Sequence, residues 1–158
     1  MPAIRLIVRL AAGSALLVAA AVAQQRVAPP ESVVRAFYRF HFAHDMAFTR
    51  TALGRREQWL SPDLRALCRA YFAAPSPAGE VPEIDGDPFT DSQEYPVSFR
   101  VGAATVAGDT ALEPVTLSWK AGDRRVVTVV LVAGGGWKIA DVRYERGETL
   151  RGELTAKP

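Results

Sequence analysis

Apolar residues in the first half of the chain recur at helical spacing. A helix is expected to begin just after two prolines, near residue 31, and to end between residues 46 and 50. A second helical region follows over about 52–60. Ser61, Pro62 and Asp63 then signal a third helix, since serine caps a helix and proline and aspartate suit its first turn. The first helix carries one wide apolar face, formed by Val34, Phe37, Tyr38 and Phe42.

From residue 95 onward the apolar period changes to two, which is typical of β-strands. Glycine-containing turns separate the runs, so consecutive strands are expected to pair antiparallel. The third run is almost all Val, Leu and Thr, as in a central strand. The tail over 147–156 fits a short helix or an edge strand. The strands are expected over 97–103, 111–120, 125–133 and 137–144.

Helices followed by a meander of strands predict an α+β domain. Its N-terminal helices are expected to pack on a curved, cone-like antiparallel sheet of about four strands. A single domain should occupy residues 24–158, with a flexible leader over 24–30. Between helices and strands lies a long acidic loop, 75–94, whose four prolines exclude a regular element. Loops of this length are usually functional or disordered.

The N-terminus predicts export. Arg5 and Arg9 precede or enter an uncharged segment that ends in Ala21-Val22-Ala23, the pattern of a signal peptide over residues 1–23. The uncharged run is shorter than the roughly 20 residues of a membrane-spanning helix. The mature chain is therefore expected to be periplasmic or secreted and to have no membrane span.

The charge balance argues against nucleic acid as a partner, and the cysteine content excludes an internal disulfide. Without Arg5 and Arg9 the chain holds 17 basic and 17 acidic residues, so no global excess favours nucleic acid. The arginine pairs at 55–56 and 124–125 are short and are expected to face solvent. Cys68 is the only cysteine, which excludes an internal disulfide, and its helical surroundings predict a small buried residue.

Short motifs lie around the predicted strands, within a span of about 28–154. They are Asp87-Pro88-Phe89, Gln93-Glu94, Gly136-Trp137-Lys138-Ile139, Asp141-Val142 and Gly147-x-x-Leu150. Together they resemble a family of small exported bacterial proteins classed as a domain of unknown function, some of them envelope lipoproteins. This chain differs from the lipoproteins in having no cysteine to acylate. The ending Trp137-Lys138-Ile139-x-Asp141 is also similar to the cone-shaped nuclear transport factor 2 fold, a group that includes ketosteroid isomerase, dehydratases, binding proteins and accessory domains.

Carboxylates in the acidic loop follow part of the calcium-loop pattern. Counted from Glu83, they fall at positions one, three, five, nine and twelve, but Pro88 stands where a calcium loop needs glycine for a sharp turn. The alternative is that Asp85 and Asp87 organise turns through bonds to backbone amides, and this interpretation is preferred. His41, His44 and Asp45 lack a further zinc ligand. No metal or cofactor is predicted.

Two function classes remain. The leading hypothesis is a noncatalytic binding or accessory domain of the bacterial cell envelope, with an envelope protein or a small ligand as its partner. The alternative is a small cavity enzyme of the ketosteroid-isomerase type, with Tyr38, His41 and Asp141 as candidate acid–base groups. The sequence carries no nucleophile, phosphate or metal motif. The candidate binding residues are Asp85, Asp87, Phe89, Gln93 and Glu94.

Overall fold

The computed structural model describes residues 28–74 and 84–156, and these segments form an α+β fold. The predicted signal peptide lies outside the described residues, as do most of the leader and residues 75–83 of the acidic loop. Four α-helices and five strands occur in the described part. They are α1 (Pro30–Ala43), α2 (Arg50–Arg56), α3 (Pro62–Ala73), β1 (Ser98–Val101), β2 (Thr105–Ala107), β3 (Thr110–Ser118), β4 (Arg124–Ala133), β5 (Trp137–Arg143) and α4 (Leu150–Thr155).

The helices begin at residues that satisfy their first amide groups. Ser61 Oγ accepts a hydrogen bond from the amide of Leu64 at the start of α3, as the sequence predicts. Thr49 and Thr149 cap α2 and α4 in the same way. The first helix ends at Ala43, earlier than expected, and the second helical region divides into α2 and a 3₁₀ turn over Glu57–Trp59.

The sheet is open and antiparallel, with strand order β1-β3-β4-β5, and β2 also pairs with β3. The sequence predicts one strand over 97–103, where the structure has β1; β2, over Thr105–Ala107, lies beyond the predicted strand. Gly102 donates to the carbonyl of Pro114 at 2.8 Å, but Pro114 has no N–H to return the bond. The pairing is interrupted there, and the edge continues as a second short strand.

A β-bulge lies in β5. Leu131 pairs with Ile139 and Val130 pairs with Asp141, which leaves Ala140 as an extra residue. The bulge turns both Ile139 and Val142 toward the core, where both are buried. It places Asp141 beside Val130 on the opposite face of the sheet. Without the bulge, strict alternation would place Ile139 and Val142 on opposite faces of the sheet.

Helix α1 packs against β1, β3 and β5. Val34, Phe37, Tyr38 and His41 of its inner face are all buried. They meet the inward residues of the sheet, including Leu117, Val127 and Leu131, in one core. The inner face of α1 and the inward residues of the sheet therefore form the core of the fold. Among the described helices, none combines the length and apolar character needed to cross a membrane.

Candidate functional site

Asp87 organises a tight turn in the Asp-Pro-Phe loop, the described part of the acidic loop (84–94). Its Oδ1 accepts a hydrogen bond from the amide of Phe89 at 3.1 Å, and its Oδ2 accepts one from the Thr90 hydroxyl at 2.6 Å. Its backbone bonds to Ser92 in both directions. Gly86 precedes it at φ +116°, where a Cβ would come within 2.5 Å of the Ser92 carbonyl. The loop is thus a small closed hairpin, as the turn interpretation predicts.

A buried polar chain connects this turn to the helices. His41 Nε2 lies 2.7 Å from Asp87 Oδ2, and Arg56 Nε donates to His41 Nδ1 at 2.7 Å. Arginine only donates, so His41 Nδ1 is the acceptor and the ring proton lies on Nε2, directed at Asp87. All three side chains are at most 2% exposed. The chain joins a positive charge to a negative one through a neutral imidazole.

Arg56 corrects one sequence-based interpretation, which places the arginine pair at 55–56 in solvent. Besides His41, its guanidinium donates to the carbonyls of Ala52 and Asp45. Desolvation lowers the pKa of Arg56, and the nearby Asp87 opposes that shift. Ala52, Leu53 and Arg56 form the buried face of α2. Arg56 is therefore a structural cation beneath the loop.

Aromatic residues fix the loop from both sides. Phe89 is buried against Phe37, with ring centroids 5.0 Å apart. The Tyr38 hydroxyl donates to the Phe89 carbonyl at 2.7 Å. The Tyr144 hydroxyl lies 3.0 Å from the Pro88 carbonyl and 3.1 Å from a Glu153 carboxylate oxygen. Phe89 therefore anchors the loop in the core.

An open groove of about 1230 Å³ runs along the outer side of the loop. The loop forms one wall, the β3–β4 turn forms the second, and the segment after β5 with α4 forms the third. Asp85 and Glu94 are exposed in the first wall, where Asp85 accepts a hydrogen bond from Gln93 at 2.6 Å. Tyr95 and Val97 lie at the rim, 46% and 51% exposed.

A chain of charged and aromatic contacts holds the walls together. Asp91 contacts Arg125 at 3.2 Å and Arg146 at 3.1 Å. Its φ of +50° is one that aspartate tolerates better than most residues. Arg125 in turn lies over the Trp119 ring at 5.6 Å, and Trp119 Nε1 donates to the Glu94 carbonyl at 2.7 Å. Contacts within the chain therefore preform the groove.

The structure brings together only some of the predicted site residues. Tyr38 and His41 are adjacent, but their polar atoms are committed to the loop, and burial raises the pKa of Tyr38 well above its usual value. Asp141 does not join them, because the bulge turns it to the other sheet face, where it accepts bonds from the amides of Val142 and Arg151. Of the binding candidates, Asp85, Gln93 and Glu94 line the groove. Asp87 also lines it, although this residue is only 1% exposed, and Phe89 is buried beneath the loop.

Possible metal ligands and the single thiol were compared with the needs of a metal site and of a nucleophile, within residues 28–74 and 84–156. Within them, no three His, Cys, Asp or Glu side chains are grouped so that they could hold a metal ion. Cys68 is buried, as the sequence predicts, and burial raises the pKa of its thiol to about 12. The thiol is protonated at neutral pH, so it is a poor nucleophile.

Tyr144 offers a test of how the loop is held. Tyr144→Phe removes the hydroxyl beside Pro88 and Glu153, so we expect a loss of about 1–2 kcal/mol of unfolding free energy and faster proteolysis within 84–94. Urea unfolding and limited proteolysis measure the two effects. Tyr95→Phe is the matched control, since it removes an exposed hydroxyl from the same groove. Equal behaviour of the two variants would contradict the role assigned to Tyr144.

Comparisons with known proteins identify a shared fold. No protein-family model matches the chain, and no curated protein matches it either. Solved structures of the type VI effector–immunity complex Tae3–Tai3 from Ralstonia pickettii do match. In the selenomethionine crystal the TM-score is 0.56 at 24% identity, over 74% of this chain and 97% of the other. In the native crystal it is 0.55 at 24% identity, over 73% and 94%. At this identity the likeness establishes the fold alone.

Proposed function

We propose that this protein is a noncatalytic binding domain of the bacterial cell envelope, and that it holds a protein partner against the groove beside the Asp-Pro-Phe loop. The carrying observation is that the groove is preformed on a buried polar support. A preorganised surface loses little conformational entropy on association, which favours affinity. The two structural neighbours come from complexes of an effector with its immunity protein. We infer the same kind of role here, with an effector-type protein as the partner.

The composition of the groove supports a protein partner. Tyr, Trp and Arg are the residues most enriched in interface hot spots. Tyr95, Trp119 and Arg125 lie together here, with exposed polar side chains around them. Tyr95 and Val97 are among the most exposed large apolar side chains of the described residues. Aromatic and arginine side chains are enriched at protein interfaces relative to the rest of the surface.

The buried chemistry favours binding over the ketosteroid-isomerase alternative. An acid–base enzyme needs titratable groups within reach of a substrate. Here Tyr38 and His41 are sealed in the core by their bonds to the loop, and Asp141 lies on the other sheet face. Their positions serve to hold the loop, which is the binding wall of the groove.

The proposal is tested in the bacterium that encodes the protein. The chain is expressed with a C-terminal affinity tag and purified from the envelope fraction, and the copurifying proteins are identified by mass spectrometry. We expect one protein at near-stoichiometric yield, and an N-terminus at Gln24 after removal of the predicted signal peptide. The identified partner is then purified and its Kd is measured by calorimetry.

Two matched variants locate the interface. Tyr95→Ser should weaken binding by about tenfold or more, because tyrosine is among the residues most enriched in interface hot spots. Val106→Ser, at a residue of similar exposure on β2, should leave the Kd unchanged. If no protein copurifies under any condition while a small molecule does, the protein-binding proposal is wrong.

A further inference from the structure

The groove has an excess of negative charge although the mature chain is formally neutral. Its lining holds seven acidic and four basic side chains. Two of the basic residues, Arg125 and Arg146, are already paired with Asp91. Asp87 is compensated from beneath by Arg56 through His41. The remaining basic side chains are Lys120 and Arg124, whereas the remaining acidic ones are Asp85, Glu94, Asp123, Glu145 and Glu153.

Side chains in the groove respond to this negative field. Burial raises the pKa of Glu153. The bond from Tyr144 and the charge of Arg146 oppose that shift, whereas the carboxylates of Asp91 and Glu148 add to it. Burial likewise raises the pKa of Tyr144, and Glu153 and Asp91 add to the effect. In each case proximity to carboxylates makes a further negative charge less favourable. A cation entering the groove would meet the opposite sign of interaction.

An apolar rim adjoins the acidic groove. Tyr95 and Val97 lead from it toward β1, which pairs with β3 on one side only. The aromatic ring of Tyr95 offers a face for a guanidinium, and Asp85 and Glu94 offer carboxylates on the same wall. This combination suits a protein segment that alternates basic and apolar side chains. A small cation would leave the apolar rim unused.

We infer that the groove receives a basic segment of the partner protein, with an arginine or lysine side chain placed between Tyr95 and the carboxylates of Asp85 and Glu94. This inference rests on the proposed function and specifies the chemistry of the partner. It implies that association is steered by charge, so that the association rate falls as salt rises. It also implies that the contacting segment is itself rich in Lys or Arg.

Photo-crosslinking tests the inference in the living bacterium. The full chain carries p-benzoylphenylalanine in place of Tyr95, or in place of Val106 as the matched control at the far end of the sheet. After illumination, the crosslinked peptide is sequenced by mass spectrometry. We expect a crosslink from position 95 to a segment of another protein with at least two Lys or Arg residues, and none from position 106.

Charge reversal adds a second measurement on the same crosslink. The double change Asp85→Lys and Glu94→Lys should lower the crosslink yield by about tenfold or more. Asp109→Lys should leave the yield unchanged, because Asp109 is an exposed acid in the β2–β3 turn at the opposite end of β3. Thermal melts of all variants confirm that each remains folded.

The outcomes separate the two proposals. A crosslink from position 95 to an acidic or uncharged segment, or to a second copy of this chain, overturns the basic-segment inference. So does a yield that is insensitive to charge reversal. A partner captured only from position 106 overturns the inference but leaves a binding function. No crosslink from either position, with no copurifying protein, overturns both.

Discussion

Asp87→Asn is expected to lower the unfolding free energy by about 3–5 kcal/mol, because it leaves a buried arginine without its compensating charge. Asp87 lies within hydrogen-bond distance of His41, which accepts a hydrogen bond from Arg56. In the variant an amide NH₂ group or a weaker carbonyl acceptor would face the donors of His41 and Thr90. Since small domains are stable by only about 5–15 kcal/mol, this loss is a large part of the total.

The measurement is urea unfolding at pH 7, followed by fluorescence of the tryptophans. Asp85→Asn is the matched control in the same loop: Asp85 is exposed and bonds only to Gln93, so we expect a change within about 0.5 kcal/mol. A loss below about 1 kcal/mol for Asp87→Asn would show that the buried chain does not stabilise the fold. Added calcium should not alter either result, because the Asp87 oxygens are occupied by protein donors.

A double-mutant cycle between Asp87 and Arg56 tests whether their two buried charges compensate each other. Arg56→Met removes the buried cation and keeps the aliphatic volume. If the two charges compensate each other, the double variant Asp87→Asn with Arg56→Met should cost less than the sum of the single changes. Strict additivity would mean that Arg56 is stabilised mainly by the carbonyls of Ala52 and Asp45. This cycle separates loss of charge compensation from simple loss of hydrogen bonds.

The elements of the fold are largely predictable because their signals are local. The stripe on α1, the cap at Ser61 and the period of two after Tyr95 depend on residues close together in the chain. Even the bulge near Ala140 is visible, since two apolar residues three apart cannot share one sheet face without it. The division of the first strand is harder to predict. It depends on Pro114, which lies 12 residues beyond the position it disrupts.

The candidate site is less predictable because its contacts are long-range. His41, on an apolar helix face, signals only that some partner exists. The sequence does not say that Arg56 and Asp87 lie on its two sides. Asp85, Gln93 and Glu94 are recognisable as an exposed loop. Their alignment with the β3–β4 turn depends on the Asp91 contacts with Arg125 and Arg146.

The exposed candidate residues do not lie beneath α1. Phe37, Tyr38 and Leu117 in that region are buried in the core. The exposed features are instead at the end of the sheet, where the Asp-Pro-Phe loop meets the strand turns. The Asp-Pro-Phe loop contacts the polar atoms of Tyr38 and His41 and also forms one wall of the groove. These contacts are why we assign His41 and Tyr38 a supporting role in binding.

Substitution of Glu113 is also expected to change the unfolding free energy strongly. It lies on β3 in the inward series Ala111, Glu113, Val115, Leu117, and extending that alternation backward from Val115 places it in the core. The side chain is fully buried, and within the described residues neither carboxylate oxygen has a hydrogen-bond partner. Its pKa is raised from 4.5 to about 7, chiefly by burial; Glu31 on α1 contributes to the rise and Arg35 opposes it. The neutral acid is therefore the form that the fold prefers.

This preference makes stability fall as pH rises. The unfolded chain releases the proton near pH 4.5, whereas the folded protein retains it to about pH 7. Between these values the folded state binds more protons, so each rise in pH favours unfolding. The difference corresponds to about 3 kcal/mol, lost progressively from about pH 4.5 and fully lost above about pH 7.

Glu113→Leu should therefore stabilise the protein by about 3 kcal/mol at pH 8, and by clearly less at pH 4.5, where the native carboxyl is already neutral. The measurement is the unfolding free energy of both proteins in urea at half-unit steps between pH 4 and 8.5. Glu113→Gln separates the two causes: it abolishes the ionisation and this part of the pH dependence, but it retains an unpaired buried polar group and should gain less than Leu. The ionisation of Glu113 is reported by the difference in unfolding free energy between wild type and Glu113→Gln. This difference is used because other groups also titrate between pH 5 and 7. If that difference stays constant from pH 4 to 8.5, the pKa of Glu113 is the same in the folded and unfolded protein, and the assigned shift is wrong.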